Sequence, residues 1–538
     1  MDGPACLALV LHAHLPFVRH PEHEVFLEED WFFEALTESY LPLVAMLLRL
    51  QRDGVPFQLT LSLSPPLQTM LGDELLRRRY ERYTADLDAL LTRETARAQH
   101  DAPLAAVVAH HRRRLDAALQ TWQTLGGDLL APLARLQEAG HLDLITSAAT
   151  HGYLPLMAPQ PAAVRAQITV AVAEHERRFG RRPSGLWLPE CGYAEGLDRV
   201  LAAAGLRYFV GDTQALLLAR PRPRCGYHAP AFCADSGVAV FARDPEPGEQ
   251  VWSRERGYPG HPAYRDFFHD LADERPASEL GAFVLPDGQR RRTGLKYRRI
   301  TSHDGTGHDR TGRDGDPKLL YEPEVALRVA HEHAHDFVDK RLAQLSGLRA
   351  VLPQVVVVAA YDAELFGHWW HEGCAWLEQV LRLFAAQPRG APTLTHLADY
   401  LRRQPTQQLL RPAESSWGAG GYHQYWLDGT NAWIYPRLHH AAAQMIALAE
   451  RHVAPPALVR RALNHAARLL LLAQASDWAF IMRSNTAVGY ATARTEAHLG
   501  DFARLAEQLA SGTIDEVWLS ERERAENIFP AIDYRAFA

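Results

Sequence analysis

The sequence predicts an α/β fold with a mostly parallel sheet, closed as a barrel and followed by a helical domain. Three observations support this. Short apolar runs alternate with helical stretches over most of the chain, polar or aromatic clusters directly follow these runs, and strand patterns stop near residue 406. The 538 residues are enough for a barrel and additional domains. The formal charge of −7 gives no basic excess, which argues against a nucleic-acid partner.

Seven apolar runs of strand length occur along the barrel region. The first is followed by His12-Ala-His14, the second by Ser64-Pro-Pro66, and the last by Asp362. Barrel enzymes place their chemistry at such carboxyl ends of strands, so these positions are the first candidates for a site. The runs cover residues 5–11, 57–63, 142–146, 185–188, 208–210, 238–241 and 355–361.

Helical patterns divide the chain into three parts. Residues 71–140 are highly charged and read as a helical insertion, so the barrel is expected to comprise residues 1–70 and 141–405. A helix over 161–178 opens with a proline, which is favoured in the first turn. Helices over 435–452, 455–474 and 487–511 predict a C-terminal helical domain, residues 406–538. The Gly/Asp-rich segment 303–316 lacks EF-hand spacing and is expected to be a solvated insertion.

Targeting and redox signals are weak. The five cysteines show no Cys-x-x-Cys spacing, which argues against a disulfide framework or a thiolate zinc site. The first residues lack the basic start of a signal peptide. The longest apolar stretch, 469–482, is interrupted by Asp477 and is shorter than the roughly 20 residues that a membrane span requires. We therefore expect a cytoplasmic protein without a membrane partner.

Two carboxylates are the strongest catalytic candidates. Asp362 ends the buried run 355–361 and precedes a cluster of aromatic and histidine residues, although it could also cap the helix that follows. Glu190, in Trp187-Leu-Pro-Glu190-Cys, ends a second apolar run, although it could also be a surface residue of a loop. Two carboxylates at the ends of separate barrel strands are the minimal apparatus of a glycosidase, in which one attacks the anomeric carbon and the other protonates the leaving oxygen.

Four motifs resemble glycoside hydrolase family 57, and within it the 1,4-α-glucan branching enzymes. The motifs are His12-Ala-His-Leu-Pro16, Trp187-Leu-Pro-Glu-Cys191, Tyr361-Asp-Ala-Glu-Leu-Phe-Gly-His-Trp-Trp370 and Ser415-Ser-Trp-Gly-Ala-Gly-Gly-Tyr422. The resemblance implies a (β/α)7 barrel with a helical insertion and a C-terminal helical domain. It also implies a retaining mechanism without metal or other cofactor, in which Glu190 is the nucleophile and Asp362 the general acid/base.

The resemblance also implies a set of substrate-binding residues. Tyr227 matches, over a shortened segment, a tyrosine on a mobile loop that covers the site. Taken alone, each histidine could be structural, Trp31 could belong to the core, and Arg254 could form a surface ion pair. The other positions that match the family's substrate contacts are His12, His14, Trp31, His151, Arg254, Trp417, Trp426 and Asp477. The implied partners are α-1,4-glucan chains, as donor and acceptor.

Three departures from the family pattern concern substrate or acceptor contacts. Thr486 stands where the family has a glutamine, Ala272 near an expected glycine, and Ala263 where an aromatic is usual. An α-amylase or a 4-α-glucanotransferase of the same family is therefore an alternative. A metal-dependent sugar hydrolase that uses the histidines and Asp362 as ligands, and a non-catalytic glucan-binding protein, are alternatives from other classes.

Overall fold

A computed structural model describes residues 5–253, 256–300 and 318–538. The strands within these ranges are β1 (Cys6–Ala13), β2 (Leu59–Leu63), β3 (Leu142–Ile145), β4 (Gly185–Trp187), β5 (Tyr208–Gly211), β6 (Ala231–Cys233), β7 (Ala239–Ala242), β8 (Val356–Asp362), β9 (Thr393–Leu394) and β10 (Gln408–Leu410). Arg254 and the segment 303–316 lie outside the described residues.

Helices surround these strands and form the C-terminal part of the chain. They are α1 (Glu29–Ala35), α2 (Leu41–Arg52), α3 (Pro65–Leu71), α4 (Glu74–Ala98), α5 (Ala102–Thr124), α6 (Leu130–Glu138), α7 (Leu154–Met157), α8 (Pro161–Phe179), α9 (Leu197–Ala203), α10 (Thr213–Leu217), α11 (Pro245–Trp252), α12 (Leu271–Glu274), α13 (Ala277–Leu280), α14 (Pro323–Val351), α15 (Gly373–Ala385), α16 (Leu397–Arg403), α17 (Ile434–Arg451), α18 (Ala457–Ala473), α19 (Ser476–Ser484), α20 (Val488–Ser511) and α21 (Glu516–Ala525).

Seven parallel strands form the predicted (β/α)7 barrel. One sheet has the order β3-β2-β1-β8, and a second contains β7-β5-β4, with parallel pairing along each. A parallel bridge between Thr146 and Leu186 joins β3 to β4. The amide of Asp244, just beyond β7, donates to the carbonyl of Val358 in β8 at 2.8 Å and closes the ring. These are the seven strands that the apolar runs predict, with ends that differ by one or two residues.

Alternation along β1 and β8 points their functional residues into the barrel. Cys6, Ala8 and Val10 of β1 pack in the barrel interior, together with every second residue of β8 from Val356 to Ala360. Because side chains alternate with a period of two, the next inward positions are His12 and Asp362. These two residues are direct partners in the parallel register. The barrel interior is therefore apolar at the amino end of the strands and becomes polar where they end.

The helical parts agree with the predicted segments, with one correction. In the insertion, α4 and α5 pack on each other, whereas α6 packs against β3 and α2 of the barrel. The three predicted C-terminal helices correspond to α17, α18 and α20. The expectation that strands stop at 406 is wrong, because β10 pairs with β6. A strand of three residues is too short to show an alternating pattern.

One helical segment is long and apolar enough to meet the length and composition criteria for a membrane span. This segment, Glu29–Arg52, has 67% of its most apolar stretch buried inside the protein. It runs through α1, the π-helical turn Leu36–Tyr40 and α2. Burial of this extent is that of a core helix, and its apolar face packs with the insertion and the barrel helices.

Candidate active site

A cavity of about 880 Å³ lies where the barrel strands end, between the barrel and the C-terminal helices. This volume is large for a small-molecule pocket and suits an extended ligand. Both candidate carboxylates face it. The predicted site residues that line it are His12, His14, Trp31, His151, Glu190, Asp362, Trp417, Trp426 and Asp477.

Glu190 is held in a turn directly after β4. Its φ of 59° and that of Cys191, 51°, are both in the left-handed region, which is unfavourable for residues with side chains. Its Oε2 accepts a hydrogen bond from Nε1 of Trp417 at 2.8 Å, and its Oε1 accepts one from the hydroxyl of Ser476 at 3.0 Å. The residue is only 9% exposed, so the interpretation of Glu190 as a surface residue is wrong. Two donors therefore fix both oxygens of a buried carboxyl.

Burial sets the protonation of Glu190. Removal from water raises the pKa of this carboxyl to about 7, although the hydrogen bond from Trp417 acts in the opposite direction. The charge of Asp477 adds to the rise, and Ser476 opposes it. Near neutral pH the group can therefore exist in either state.

Asp362 ends β8 and lies half-buried in the cavity. Its side chain makes no capping hydrogen bond to the turn that follows, so the reading of Asp362 as a helix cap is wrong. Burial raises the pKa of Asp362 well above its ordinary value, and the charges of Glu364 and Glu190 raise it further. The protonated form of Asp362 is therefore favoured by its surroundings.

Three histidines cover one wall beside Glu190. His12 stacks on Trp187 with ring centroids 4.8 Å apart, and its Nε2 lies 3.0 Å from Nε2 of His151. His151 contacts Ser476 through Nδ1 at 2.9 Å, and this nitrogen lies 3.7 Å from Oε1 of Glu190. Burial lowers the pKa of His12 and His151 well below the ordinary value, so both are neutral. Neutral imidazoles can donate to or accept from sugar hydroxyls.

His14 differs from the other two histidines because it faces a carboxylate. Its Nε2 lies 3.1 Å from both oxygens of Asp477. Burial lowers the pKa of His14, but the charge of Asp477 and the hydrogen bond to it outweigh that effect, so the net change is a rise. The site therefore contains one imidazole that favours the charged form, adjacent to the candidate nucleophile.

The positions of these histidines bear on the alternative of a metal centre. His14, His151 and Asp477 offer ligand atoms that lie within 4.8 Å of one another. However, the rings of His14 and His151 stack at 3.9 Å with an angle of 19° between their planes. Imidazole binds a metal in the plane of the ring, and nearly parallel rings at this spacing direct their lone pairs side by side. This donor set does not fit a metal ion without rearrangement.

The C-terminal part of the chain supplies a second wall. Trp417 contacts Glu190 directly. The guanidinium carbon of Arg243 lies over the ring of Trp417, 5.3 Å from the ring centroid. Trp426 stacks on Tyr153 at 4.6 Å and is almost fully buried. Trp31, from α1, meets Tyr490 of α20 edge to face at 5.7 Å. Aromatic rings from the barrel and from the helices thus face one cavity.

Tyr227 does not line this cavity, so the structure does not favour its interpretation as a covering residue. The carbonyl of the next residue, His228, accepts a hydrogen bond from the amide of Val356 at 2.7 Å, at the first residue of β8. Asp362 ends the same strand, so Tyr227 lies near the opposite end of β8 and does not line the cavity. The short strand β6, which directs this segment, gave no signal in the sequence.

Several cavity residues were not predicted. Glu364 accepts hydrogen bonds from the hydroxyl of Tyr40 and from the amide of His14, and burial raises its pKa to about 7. Its place two residues after Asp362 in the same motif was an available signal. Ser476 likewise directly precedes Asp477. The other unpredicted residues of the cavity include Glu34, Arg243, Trp252, Phe267, Phe268, Arg292, His368, Trp369, Tyr425 and Phe480.

Comparisons with known proteins match both parts of the chain. The sequence model described as glycosyl hydrolase family 57 matches residues 8–278, and the one described as the C-terminal region of 1,4-alpha-glucan branching enzyme matches residues 437–537. A 1,4-alpha-glucan branching enzyme from Thermococcus kodakarensis is 34% identical over 559 aligned positions, which cover 97% of this chain and 77% of that protein.

Solved structures give the same fold over the full length. The alpha-amylase AmyC from Thermotoga maritima is 38% identical, with a TM-score of 0.91 over 100% of this chain and 99% of that one. A branching enzyme of the same family from Pyrococcus horikoshii is 33% identical, with a TM-score of 0.86 over 99% of this chain and 96% of that one. The relatives thus include both an enzyme named for hydrolysis and enzymes named for branching.

Proposed function

This chain belongs to glycoside hydrolase family 57, and from that premise we propose that it is a 1,4-α-glucan branching enzyme. It cleaves α-1,4 bonds of a glucan and transfers the released segment to form an α-1,6 branch, by a retaining double displacement. The observation that carries the proposal is the pair Glu190 and Asp362, which face one cavity with aromatic walls from the barrel and the helices.

The protonation of the pair supports separate roles. Burial raises the pKa of Asp362 well above its ordinary value, so we assign Asp362 the proton and the role of general acid towards the leaving oxygen. Glu190, with a pKa raised to about 7, attacks the anomeric carbon in its ionised form. After the first step Asp362 is ionised and accepts the proton of the incoming hydroxyl.

The donors on Glu190 support its role as nucleophile. The contacts from Trp417 and Ser476 orient the carboxyl and stabilise its charge before attack. The turn, in which Glu190 has a positive φ, directs the side chain into the cavity. A residue in a loosely held turn would also sample other directions. The same wall is lined by His12, His14 and His151. We propose that these histidines form hydrogen bonds with the hydroxyls of the sugar being cleaved.

The second candidate function is hydrolysis, as in an α-amylase. It is favoured by the likeness to AmyC and by Thr486, which lines the cavity at the position where the family resemblance implies a glutamine. Tyr227, which would cover the glycosyl intermediate, does not line the cavity, and this also favours hydrolysis. Water is present at roughly 55 M, so transfer requires a high effective concentration of the acceptor hydroxyl. We expect both reactions, with branching as the main one.

Incubation with amylose separates these functions. New α-1,6 linkages are measured by proton NMR and new reducing ends by a colorimetric assay on the same sample. A branching enzyme forms several α-1,6 linkages for each new reducing end. If new reducing ends form without α-1,6 linkages, the branching proposal is overturned and the enzyme is an α-amylase. If longer linear chains form without α-1,6 linkages, it is a 4-α-glucanotransferase.

We also propose α-1,4-glucan chains as donor and acceptor and the cytoplasm as the location. None of the five cysteines is in a disulfide bond, in keeping with a reducing compartment.

A further inference from the structure

Arg243, the residue directly after β7, brings a positive charge to the catalytic cavity. Its Nε donates to Oδ2 of Asp212 at 2.7 Å, and Asp212 directly follows β5 and is only 5% exposed. The other oxygen of Asp212, Oδ1, accepts from the amide of Gln214 at 3.2 Å. A buried carboxylate that is itself held at both oxygens therefore fixes the inner end of the guanidinium. This ion pair explains where Arg243 is anchored, but it leaves the outer part of the guanidinium for another contact.

That contact is the ring of Trp417, which connects Arg243 to Glu190. The guanidinium carbon lies 5.3 Å from the ring centroid, within the roughly 6 Å over which an aromatic face attracts a cation. Nε1 of the same ring donates to the carboxyl of Glu190, and the amide of Trp417 donates to the carbonyl of Glu190 at 3.0 Å. Trp187 meets the ring edge to face at 5.4 Å. The indole is thus held between a cation on its face and a carboxyl at its N–H.

A cation over the face of an indole changes how strongly its N–H group donates. The positive charge attracts the π electrons, which leaves the N–H hydrogen more positive, and polar contacts in series polarise one another. A stronger hydrogen bond to the ionised form of a carboxyl stabilises that form. The charge of Arg243 can therefore act on Glu190 at a distance, because the indole lies between them.

We propose that Arg243 is a positioning residue that acts on the nucleophile Glu190 through the indole of Trp417. This inference rests on the proposed function, since it takes Glu190 as the nucleophile. Asp212 fixes Arg243, Arg243 holds and polarises the indole, and the indole orients the carboxyl. Residues that follow β4, β5 and β7 are thereby linked through one tryptophan from the part of the chain after residue 406.

The same arginine acts on Asp362 in a different way. Its positive charge lowers the pKa of Asp362 directly, against the rise that burial causes. This direct effect does not need Trp417, so substitutions can separate it from the effect on Glu190. The other titratable groups that face these side chains are His14, His151 and Asp477 at Glu190, Glu364 at Asp362, and Cys191 and Asp212 at Arg243.

The test records kcat/KM for the consumption of maltoheptaose between pH 5 and 10, which counts hydrolysis and transfer together. Arg243→Met removes the charge and keeps the aliphatic stem. It should shift the acid limb, which Glu190 sets near pH 7, to higher pH by about 0.5 pH unit. It should also shift the basic limb, which Asp362 sets, to higher pH. In a Trp417→Phe background, Arg243→Met should leave the acid limb where Trp417→Phe alone puts it, yet still move the basic limb.

Two further variants separate this effect from misfolding. Arg243→Lys retains the charge without the planar guanidinium, so the basic limb should stay in place and the acid limb should move less than in Arg243→Met. Arg437→Met is the matched control, because the guanidinium carbon of Arg437 lies over the ring of Trp433, 4.9 Å from its centroid, and neither residue lines the cavity. This variant should move neither limb.

The proposed link is overturned if Trp417→Phe moves the acid limb and Arg243→Met does not. It is also overturned if Arg243→Met moves the acid limb equally with and without Trp417. The proposed function fails differently. If neither substitution moves the acid limb, Glu190 does not set it, and both the link and the nucleophile are wrong. If the unmodified enzyme forms no α-1,6 linkages on amylose, branching is wrong, whereas a shift that depends on Trp417 still establishes the link.

Discussion

At the scale of single residues, Glu190 combines burial, two donors and an unfavourable backbone conformation. Such a combination is costly for folding and is typical of functional sites. Burial raises the pKa of Glu190 to about 7 and that of Asp362 well above its ordinary value. Under the proposed function, Glu190 attacks in its ionised form and Asp362 acts in its protonated form.

The first prediction concerns the two carboxyls themselves. Glu190→Gln should reduce both branching and hydrolysis on amylose to less than a few per cent, because an amide cannot form the glycosyl ester. Asp362→Asn should inactivate towards amylose but still react with maltosyl substrates that carry a good leaving group, since these need no proton. Glu176→Gln, on the exposed face of α8, is the control and should keep full activity. Substantial activity in Glu190→Gln would reassign the nucleophile.

The second prediction concerns pH. The proposed mechanism needs Glu190 ionised and Asp362 protonated, so kcat/KM should rise as pH increases through about 7 and fall again where Asp362, whose pKa is also raised by burial, loses its proton. The hydrogen bond from Trp417 lowers the pKa of Glu190. Trp417→Phe removes this hydrogen bond and should therefore shift the acid limb of the pH profile, the rise in kcat/KM near pH 7, to higher pH by about 1 pH unit. The measurement is kcat/KM for a maltooligosaccharide between pH 5 and 9.

A control for this shift is available in the same wall. Nε1 of Trp426 has no hydrogen-bond partner among the described residues, so Trp426→Phe removes no donor from Glu190. The acid limb of the pH profile of Trp426→Phe should stay in place even if the activity of this variant falls. A limb that moves equally in both variants would show that general loss of packing, and not the hydrogen bond, sets the pKa.

At the scale of elements, the loop after β8 positions both Asp362 and the rim of the cavity. Its Gly367 has a φ of 113°, and a Cβ there would lie 1.9 Å from the carbonyl oxygen of Glu38. That carbonyl belongs to the π-helical turn Leu36–Tyr40, which also directs the hydroxyl of Tyr40 to Glu364. The loop and the π-helical turn therefore fit each other through backbone contact, with no room for a side chain.

The third prediction follows from this contact. Gly367→Ala should lower the thermal unfolding midpoint, with a cost of about 3 kcal/mol from steric overlap and backbone strain, and should also reduce kcat. Gly347→Ala is the matched control, because Gly347 lies on the exposed face of α14 with open space around it. It should leave activity unchanged and raise stability by about 0.5 kcal/mol. Equal midpoints for the two variants would contradict the close fit.

At the scale of the whole molecule, the site exists only where the helical part meets the barrel. Ser476 and Asp477 begin α19, yet their side chains contact Glu190 and His14. The amide of Ser476 also donates to the carbonyl of His151 at 3.1 Å. Both donors to the carboxyl of Glu190, Trp417 and Ser476, thus come from the part after residue 406, and separation of the two parts would leave this carboxyl without either donor.

The fourth prediction uses the position of Tyr227 in the whole fold. Since Tyr227 lies near the amino end of β8, Tyr227→Ala should leave the ratio of new α-1,6 linkages to new reducing ends on amylose unchanged. Thr486→Gln, at the cavity, should raise that ratio by adding a hydrogen-bonding group for the acceptor. The assay is proton NMR and reducing-end analysis of the same digest. A fall of the ratio in Tyr227→Ala would mean that this segment moves to the cavity during the reaction.

Much of the barrel follows from local pattern. Apolar runs of β-branched and other large residues defined the seven barrel strands, and polar residues that follow several of these runs, such as His12, Glu190 and Asp362, line the cavity. Of the three departures from the family pattern, Thr486 lines the cavity, whereas Ala263 and Ala272 are buried elsewhere. Short strands such as β6 and β10 carried no periodic signal, and the position of Tyr227 depends on one of them.

The sequence by itself determined the fold class, the family and the two candidate carboxyls that face the cavity, because apolar runs, motifs and the residues at strand ends are local properties of the chain. Only the tertiary structure decided which groups act on those carboxyls. Ser476 reaches Glu190 across 286 positions, and Asp477 reaches His14 across 463. Only packing separates buried Trp370 from exposed Trp369. Such contacts arise when the barrel closes and the helices dock on it, and no short stretch of sequence encodes either event.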